Sequence, residues 1–373
     1  FYVNNFFFKN YKYKIKDNLN FLLYESARSA ILHTLNILNV KSKDQVIVSS
    51  FTCDAVTKAV INSGAKIVYV DINKDLTMND KCVLEAINRN TKVLILQNTF
   101  GRLGLKISTI NKIKKKKIII IEDSCLSVGS RFKNNLLGKH GDVSIFSLEA
   151  SKAVTIGWGG ALKINNKKYK KKIISSYNEL SSINVLSDLR RLFQLFISLY
   201  FLKYPFFFGN IFWYFFYGTR IFRKSSNKGK LNPKKIGRFS KKFFLFLFPK
   251  FIKFFKKTNN NYIFLINLIK KEKLKCPIVQ KKNEFIVTPR IPLLIKNKDR
   301  ILQLARNMKI EIGDWFVECP PKYKLDKSII HSYKTGRWVS RRIINIPSYF
   351  TLEKKEILNL KKLISQISLI ENN

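Results

Sequence analysis

Between residues 20 and 165 the sequence alternates short β-branched runs with segments of helical spacing. The clearest runs are QVIVSS, AKIVYVD, KVLILQ and KIIIIED, which are almost entirely apolar. Apolar runs separated by helices are typical of a parallel sheet covered on both faces. The alternation therefore predicts an α/β fold, in which ligands bind beyond the carboxyl ends of the strands. The polar residues at those ends are Ser50, Asp71, Gln97 and Asp123.

The sequence pattern of the 373-residue chain changes after about residue 180, where a hydrophobic and basic stretch begins. From Phe285 the pattern is again typical of a globular domain. It contains the strand-like segments FIVTPRIPLLI and RRIINIPS and two amphipathic helical segments. We therefore predict three parts. They are a large domain over residues 1–180, a helical insertion over 181–277, and a small α+β domain over 278–373.

The composition narrows the class of protein. The net charge is +46, but the basic residues are spread along the chain and accompany no nucleic-acid-binding motif, so we expect no nucleic-acid partner. The five cysteines form no CxxC pair, and the three histidines lie far apart in sequence. This pattern disfavours a disulfide framework or a metal site and favours a reducing, cytoplasmic compartment.

One acid and one lysine stand out against this background. Asp123 ends the run KIIIIED, where it could be the N-cap of a following helix or a buried carboxylate that keeps a pyridine nitrogen protonated. Lys152 stands alone between SIFS and the glycine cluster GWGG, in a setting suited to a Schiff base rather than to solvent. Ser147 lies five residues before Lys152 and could bind a phosphate. Together these residues indicate a site for pyridoxal 5'-phosphate (PLP).

The order of these segments resembles the DegT/StrS-type family of PLP-dependent sugar aminotransferases. The matching pieces cover residues 20–165 and 285–365. In chain order they are SARSAILHTL, DQVIVSSFT, AKIVYVDI, TKVLILQNTFG, IIIEDSCLSVGS, GDVSIFSLEASKAVTIGWGGAL and RRIINIPSYFTLEKKEILNL. The resemblance implies the fold type I of PLP enzymes. That fold has a mostly parallel seven-stranded sheet in the large PLP-binding domain, a small C-terminal domain, and an active site built at a homodimer interface.

The resemblance also implies roles for individual residues. Lys152 matches the lysine that binds the cofactor covalently, and Asp123 matches the partner of its ring nitrogen. Ser147 matches a phosphate-binding serine. Ala27 and Arg28 occupy the small-residue turn that opens a helix and binds phosphate, although the family usually has threonine where this chain has Arg28.

Other positions depart from the family pattern. Cys53 stands where the family often has an aromatic residue stacked on the cofactor ring. Leu126 stands where it often has Gln or His. The stretch that reaches the neighbouring subunit's phosphate is not evident, and Asn178 is a poor substitute for it. These departures leave the identity of the substrate open.

The resemblance implies a transaminase that moves an amino group from an amino acid to the keto group of a nucleotide-linked sugar. We expect the amino acid to be glutamate. The product would serve surface polysaccharide or other glycan synthesis. A non-catalytic PLP-fold protein that binds or regulates at a membrane is the alternative, and the presence of both Lys152 and Asp123 favours the enzyme.

The hydrophobic segment Leu192–Tyr217 is long enough to cross a bilayer, but Pro205 and Gly209 interrupt it and basic residues flank both ends. We expect either a hairpin or interfacial helices at the cytoplasmic face of a membrane, or an insertion packed against a dimer partner. The block Lys241–Lys257 alternates phenylalanine with lysine, which favours the anionic surface of a membrane.

Overall fold

The computed structural model describes residues 21–201, 231–322 and 328–372. Its strands and helices follow the predicted alternation. The strands are β1 (Phe21–Tyr24), β2 (Gln45–Ser49), β3 (Lys66–Val70), β4 (Thr91–Gln97), β5 (Ile119–Asp123), β6 (Arg131–Phe132), β7 (Asn135–Leu136), β8 (Val143–Ser147), β9 (Gly160–Ile164), β10 (Glu284–Phe285), β11 (Arg290–Leu294), β12 (Ser328–Ile330) and β13 (Ile343–Pro347). The helices are α1 (Ala27–Ile37), α2 (Asp54–Asn62), α3 (Asp80–Ala86), α4 (Ile107–Lys115), α5 (Lys170–Glu179), α6 (Val185–Phe201), α7 (Arg238–Leu247), α8 (Phe251–Lys271), α9 (Lys298–Asn307), α10 (Lys334–Ser340) and α11 (Lys354–Asn372).

The large sheet has the strand order β1-β9-β8-β5-β4-β2-β3-β12. All neighbouring strands pair in parallel except β9, which is antiparallel to both β1 and β8. The predicted α/β class and mostly parallel sheet are therefore confirmed. Seven strands come from residues 21–164, as expected, and the three-residue strand β12 adds an eighth at the edge beside β3.

Helices cover the sheet on both faces, which explains why its central strands carry apolar side chains on both faces. Buried residues of α1 and α2 pack with one set of strand residues, and buried residues of α3 and α4 pack with the alternate set. Successive side chains of a strand point to opposite faces, so both sets must be apolar. Gly64 ends α2 with a φ of +87°, the left-handed conformation favoured at a helix C-terminus.

The C-terminal region builds a second core around the antiparallel pair β11 and β13. Apolar side chains of α9, α11 and the second half of α8 pack in this core. The small α+β unit expected near the C-terminus is therefore present, while the exact boundaries at residues 180 and 277 stay a prediction.

The basic aromatic block packs partly against the large sheet. Phe244, Phe251 and Phe255 are buried in a cluster with apolar side chains of β1, β8 and β9. These three rings are therefore unavailable to a membrane surface, whereas Phe246 is 64% exposed. Among the described residues, none of the helices combines the length and apolar character needed to cross a bilayer. Residues 202–217 of the predicted hydrophobic segment lie outside the described part of the chain.

Candidate active site

A cavity opens at the carboxyl ends of the central strands, where the α/β pattern predicted a ligand site. The structure brings all six predicted site residues to its lining, namely Ala27, Arg28, Cys53, Asp123, Ser147 and Lys152. They come from β5, β8, the α1 N-terminus, the loop before α2 and the turn after β8. Residues separated by more than a hundred positions in sequence therefore share one space because parallel strands end at the same edge.

Lys152 lies in a turn that follows β8 and is mostly shielded from solvent. Its side chain is 14% exposed, and Nζ lies 4.0 Å from Oε2 of Glu149. On another side Nζ lies 5.1 Å from the centre of the Trp315 ring, a distance at which a cation is attracted to the aromatic face. The amine is thus held at the cavity by one carboxylate and one indole ring.

Asp123 ends β5 and is 6% exposed. Burial raises the pKa of its carboxyl group, while hydrogen bonds from Cys125 and the positive charge of Lys152 lower it in part. Its Oδ1 accepts a hydrogen bond of 3.0 Å from the Cys125 backbone amide. No helix follows directly, since the chain passes through turns to β6. The alternative role as a helix N-cap is therefore wrong.

The amino terminus of α1 points its first residues at the same cavity. Ser26 caps this helix, and its Oγ accepts a hydrogen bond of 3.2 Å from the Ser29 amide. The helix can approach β9 closely because a side chain at Gly160 would collide with the backbone at Ala27, 2.3 Å from the amide nitrogen. A helix amino terminus and the cation of Arg28 form a setting that attracts an anion.

The departures from the family pattern fall into two groups. Cys53 and Leu126 line the cavity, so these unusual residues are part of the site itself. Asn178 lies in α5 and is absent from the residues that line the cavity, and its backbone oxygen accepts a hydrogen bond of 2.8 Å from Lys235 Nζ. Asn178 therefore lies outside the cavity of its own chain.

Gln97 was expected at this edge of the sheet and lines the cavity, whereas Thr52 and Phe316 were not predicted. Thr52 Oγ1 and Gln97 Oε1 are buried, and no hydrogen-bond partner for either lies among the described residues. Phe316, far away in sequence, lines the cavity and packs edge-on against Phe51 at 5.1 Å between ring centres. The only sequence signal for Phe316 was the aromatic pair WF, which has no fixed spacing from the lysine motif.

Asp71 was expected at the edge of the sheet where ligands bind, but in the structure its carboxylate accepts hydrogen bonds from other residues of the protein. Its carboxylate accepts hydrogen bonds of 2.8 Å from the backbone amides of Thr335 and Gly336 and one of 3.4 Å from Ser332 Oγ. It therefore ties the first turn of α10 to the end of β3.

Glu122 is a second carboxylate of β5 and faces away from Asp123. It is fully buried and accepts five hydrogen bonds of 2.7 to 3.3 Å. The donors are Asn98 Nδ2, the backbone amides of Gly138, His140 and Gly141, and Ser144 Oγ. This carboxylate fixes the loop before β8, the strand that leads to Ser147 and Lys152.

We expect Glu122→Gln to lower the free energy of unfolding by about 3 kcal/mol or more, because its amide group would face buried N–H donors instead of accepting from them. Urea unfolding of the purified protein measures this change. Glu85→Gln is the control, since Glu85 is 49% exposed and pairs with Lys81 at 3.8 Å. Equal losses for the two variants would contradict the structural role of Glu122.

Comparison with solved structures shows which class of protein shares this fold. Over 92–95% of this chain, solved structures superpose with TM-scores of about 0.7 at 13–17% identity, which establishes a shared fold. One is an aminotransferase of Helicobacter pylori involved in the biosynthesis of pseudoaminic acid, with 16% identity, a TM-score of 0.72 and coverage of 94% of this chain and 87% of that one. Another is a GDP-4-keto-6-deoxy-D-mannose-3-dehydratase of Escherichia coli with bound hydrated PLP, with 17% identity, a TM-score of 0.67 and coverage of 92% and 87%. The chain thus has the fold of the PLP-dependent aminotransferases.

The sequence comparison relates the first part of the chain to a family. Residues 16–184 match the sequence model of the DegT/DnrJ/EryC1/StrS aminotransferase family. An uncharacterised protein of Methanocaldococcus jannaschii is 33% identical over 39% of this chain and 38% of its own length. The GDP-perosamine synthase of Escherichia coli O157:H7 is 28% identical over 42% of this chain and 43% of its own length. The alignments span about two fifths of these relatives' own length.

Proposed function

We propose that this protein is a PLP-dependent aminotransferase that moves an amino group from an amino acid to the keto group of a nucleotide-linked sugar. We expect the amino acid to be glutamate. The product would enter surface polysaccharide or other glycan synthesis. The observation that carries the proposal is that Lys152 and Asp123 line one cavity together with Ser147 and the α1 amino terminus. A protein that only binds or regulates would not need a shielded lysine beside a buried carboxylate.

The polar groups of the cavity fit PLP. The buried Asp123 carboxyl, whose pKa is raised by desolvation, gains a partner of opposite charge if a protonated ring nitrogen lies beside it. The α1 amino terminus, Arg28 and Ser147 offer N–H and hydroxyl groups to a phosphate. Phe316 supplies an aromatic face in the cavity, where Cys53 cannot.

PLP, when bound, supplies an electron-withdrawing ring that stabilises negative charge at the substrate carbon. In the proposed site Lys152 would hold the cofactor through Nζ, and its amine would carry a proton to or from the reacting carbon. Asp123 would accept the hydrogen bond of the ring N–H and keep that nitrogen protonated. Glu149, 4.0 Å from the amine, helps to hold the lysine in place.

A spectroscopic and a chemical measurement test this function. The purified protein incubated with PLP is expected to show the absorbance band of a lysine-bound cofactor, and glutamate is expected to convert that band. Mass spectrometry after incubation with nucleotide-linked 4-keto and 3-keto sugars should then detect an amino sugar. A protein that shows neither the band nor an amino sugar would contradict the proposal.

We further propose that the enzyme is a homodimer that touches the cytoplasmic face of a membrane. Support comes from an exposed apolar stripe on α6, whose members are 44% to 78% exposed. The stripe consists of Val185, Leu186, Leu189, Phe193 and Phe196. Lysines of the block Lys241–Lys257 would add an attraction of about 1 kcal/mol each near anionic lipid.

We expect flotation with anionic liposomes to show binding that weakens with salt but persists, because apolar contact does not depend on screening. Leu186→Glu should remove the persistent part, whereas Leu358→Glu, at a leucine of 58% exposure on α11, should leave it unchanged. A protein that stays soluble at low salt and forms a dimer sensitive to Leu186→Glu would assign the stripe to the subunit interface instead.

A further inference from the structure

A second cavity, of about 250 Å³, lies between the β8 side of the large sheet and the basic aromatic block. The end of β8 separates it from the candidate active site, because Phe146 and Leu148 line the second cavity whereas Ser147 and Glu149 line the first. This division follows from the extended chain, in which successive side chains point to opposite sides. Within the described ranges the two linings share no residue. The second cavity is therefore a separate site, to which the proposed reaction gives no role.

The walls of this cavity are apolar and closely packed. Six aromatic rings contribute to them, namely Phe21, Phe146, Phe244, Phe248, Phe251 and Phe255. The rings support one another, as Phe244 and Phe251 do at 5.7 Å between ring centres. Backbone lies directly behind one ring, since a Cβ at Gly129 would come within 2.6 Å of the Phe255 ring. Such walls hold the space open, and even a smaller apolar cavity, of about 150 Å³, is known to bind benzene.

Lys163 is the charged member of this lining. It lies on β9, two residues after Ala161, which lines the same cavity. The lysine is partly buried, and in the described part of the chain no residue forms a hydrogen bond or an ion pair with its Nζ. Burial lowers the pKa of its amine, and the charge of Lys139 lowers it further. Glu122 acts in the opposite direction, but five donors already hold its carboxylate. A bound anion would give this amine the partner that it lacks.

The cavity is open to molecules from solvent. Pro249 in its lining is exposed, and Lys163 is partly exposed, so a charged group can stay at the rim while an apolar group enters. At about 30 Å³ for a group the size of a water molecule, 250 Å³ holds about eight such groups in a row or cluster. Sugar hydroxyls would find few partners among these walls, and a buried hydroxyl without a partner is costly.

We propose that this cavity binds a fatty acid of about eight to ten carbons, with its alkyl chain among the phenylalanine rings and its carboxylate beside Lys163. The volume suits one chain and is too small for the two chains of a phospholipid. The single charge of a carboxylate matches the single amine. This site is independent of the proposed aminotransferase function, and its ligand is neither of the two substrates.

The test uses the PLP-loaded protein, in which the candidate active site is occupied, and calorimetry measures the Kd of each ligand. Octanoate is expected to bind. Each methylene added up to decanoate should strengthen binding about fourfold, because it leaves water for the apolar cavity. Octylamine has the same chain and the opposite charge, and it should bind at least about tenfold more weakly than octanoate.

Lys163→Gln tests the charged end of the site. It is expected to weaken octanoate by about tenfold or more, the effect of losing a hydrogen bond between charged groups, without weakening octylamine. Lys298→Gln is the matched control, since Lys298 is also partly buried but donates a hydrogen bond of 3.0 Å to the Ser340 backbone oxygen in the small domain.

Ile252→Trp tests the apolar end, because Ile252 lines the cavity and is only partly buried. The larger ring should weaken octanoate by about tenfold or more, the effect of excluding two methylene groups. Ile263→Trp, at an isoleucine of 38% exposure on the same helix, should leave octanoate binding unchanged. Thermal unfolding shows whether the four variants are folded, and the PLP absorbance band should be the same in all of them.

Three results would overturn the proposal. The first is the absence of octanoate binding to the unchanged protein. The second is equal binding of octanoate and octylamine, or of octanoate to the unchanged protein and Lys163→Gln. The third is a change of oligomeric state in Ile252→Trp, measured by light scattering, which would assign the cavity to a second copy of the chain. Failure of transamination with octanoate binding intact would contradict the proposed function and leave this site standing.

Discussion

Replacing Lys152 by alanine is expected to abolish the link between protein and cofactor that borohydride reduces, and to bring transamination to background. The reason is that no other amine is positioned to take its place, since Lys152 is the lysine that lines the cavity in the described part of the chain. The fold should persist, because Nζ contributes a contact of 4.0 Å to a partly exposed glutamate and one of 5.1 Å to the Trp315 ring centre. Mass spectrometry after borohydride treatment measures the link to the cofactor, and thermal unfolding measures whether the fold persists.

Lys58→Ala is the control for that experiment. Lys58 has a side-chain exposure of 15%, close to the 14% of Lys152, but it lies on α2 and pairs with Asp54. It should keep full activity and the reducible link. A Lys152→Ala protein that still forms the reducible adduct and turns over would show that another residue binds the cofactor.

Asp123→Asn is expected to keep the shape of the site and lower turnover by about a hundredfold or more, which corresponds to about 3 kcal/mol in the barrier of the carbanion-forming step. An amide cannot supply the negative charge that keeps the ring nitrogen protonated. The hydrogen bond from Cys125 to Oδ1 can persist in the variant, so stability should change little. Single-turnover kinetics of the donor half-reaction measure the effect.

Asp80→Asn controls for the loss of a carboxylate elsewhere, since Asp80 lies at the start of α3 and accepts a hydrogen bond of 3.1 Å from the Lys106 amide. If both variants bind the cofactor and turn over equally fast, Asp123 does not act on the cofactor ring. Its role would then be limited to the turn after β5.

The strand ends and the lysine motif were predictable because each depends on local sequence. The runs KIIIIED and KVLILQ carry their own burial pattern, and Lys152 is recognisable from its immediate neighbours. Contacts between residues that are distant in sequence were not predictable. Nothing near Asp71 signals that it binds amides of α10, and Trp315 reaches Lys152 only because the small sheet packs beside the large one.

The strand β12 has a consequence for how the protein is made. It pairs with β3 in parallel, although Ser328 follows Ile67 by most of the chain length. Contacts between such distant positions form late, because closing a long loop costs entropy before the contact repays it. During synthesis the edge of β3 therefore keeps unpaired backbone groups, open to pairing with other chains, until the residues of β12 have been made. We expect products truncated before β12 to aggregate through this edge, so that the synthesis of three residues decides whether the large sheet is closed to other chains.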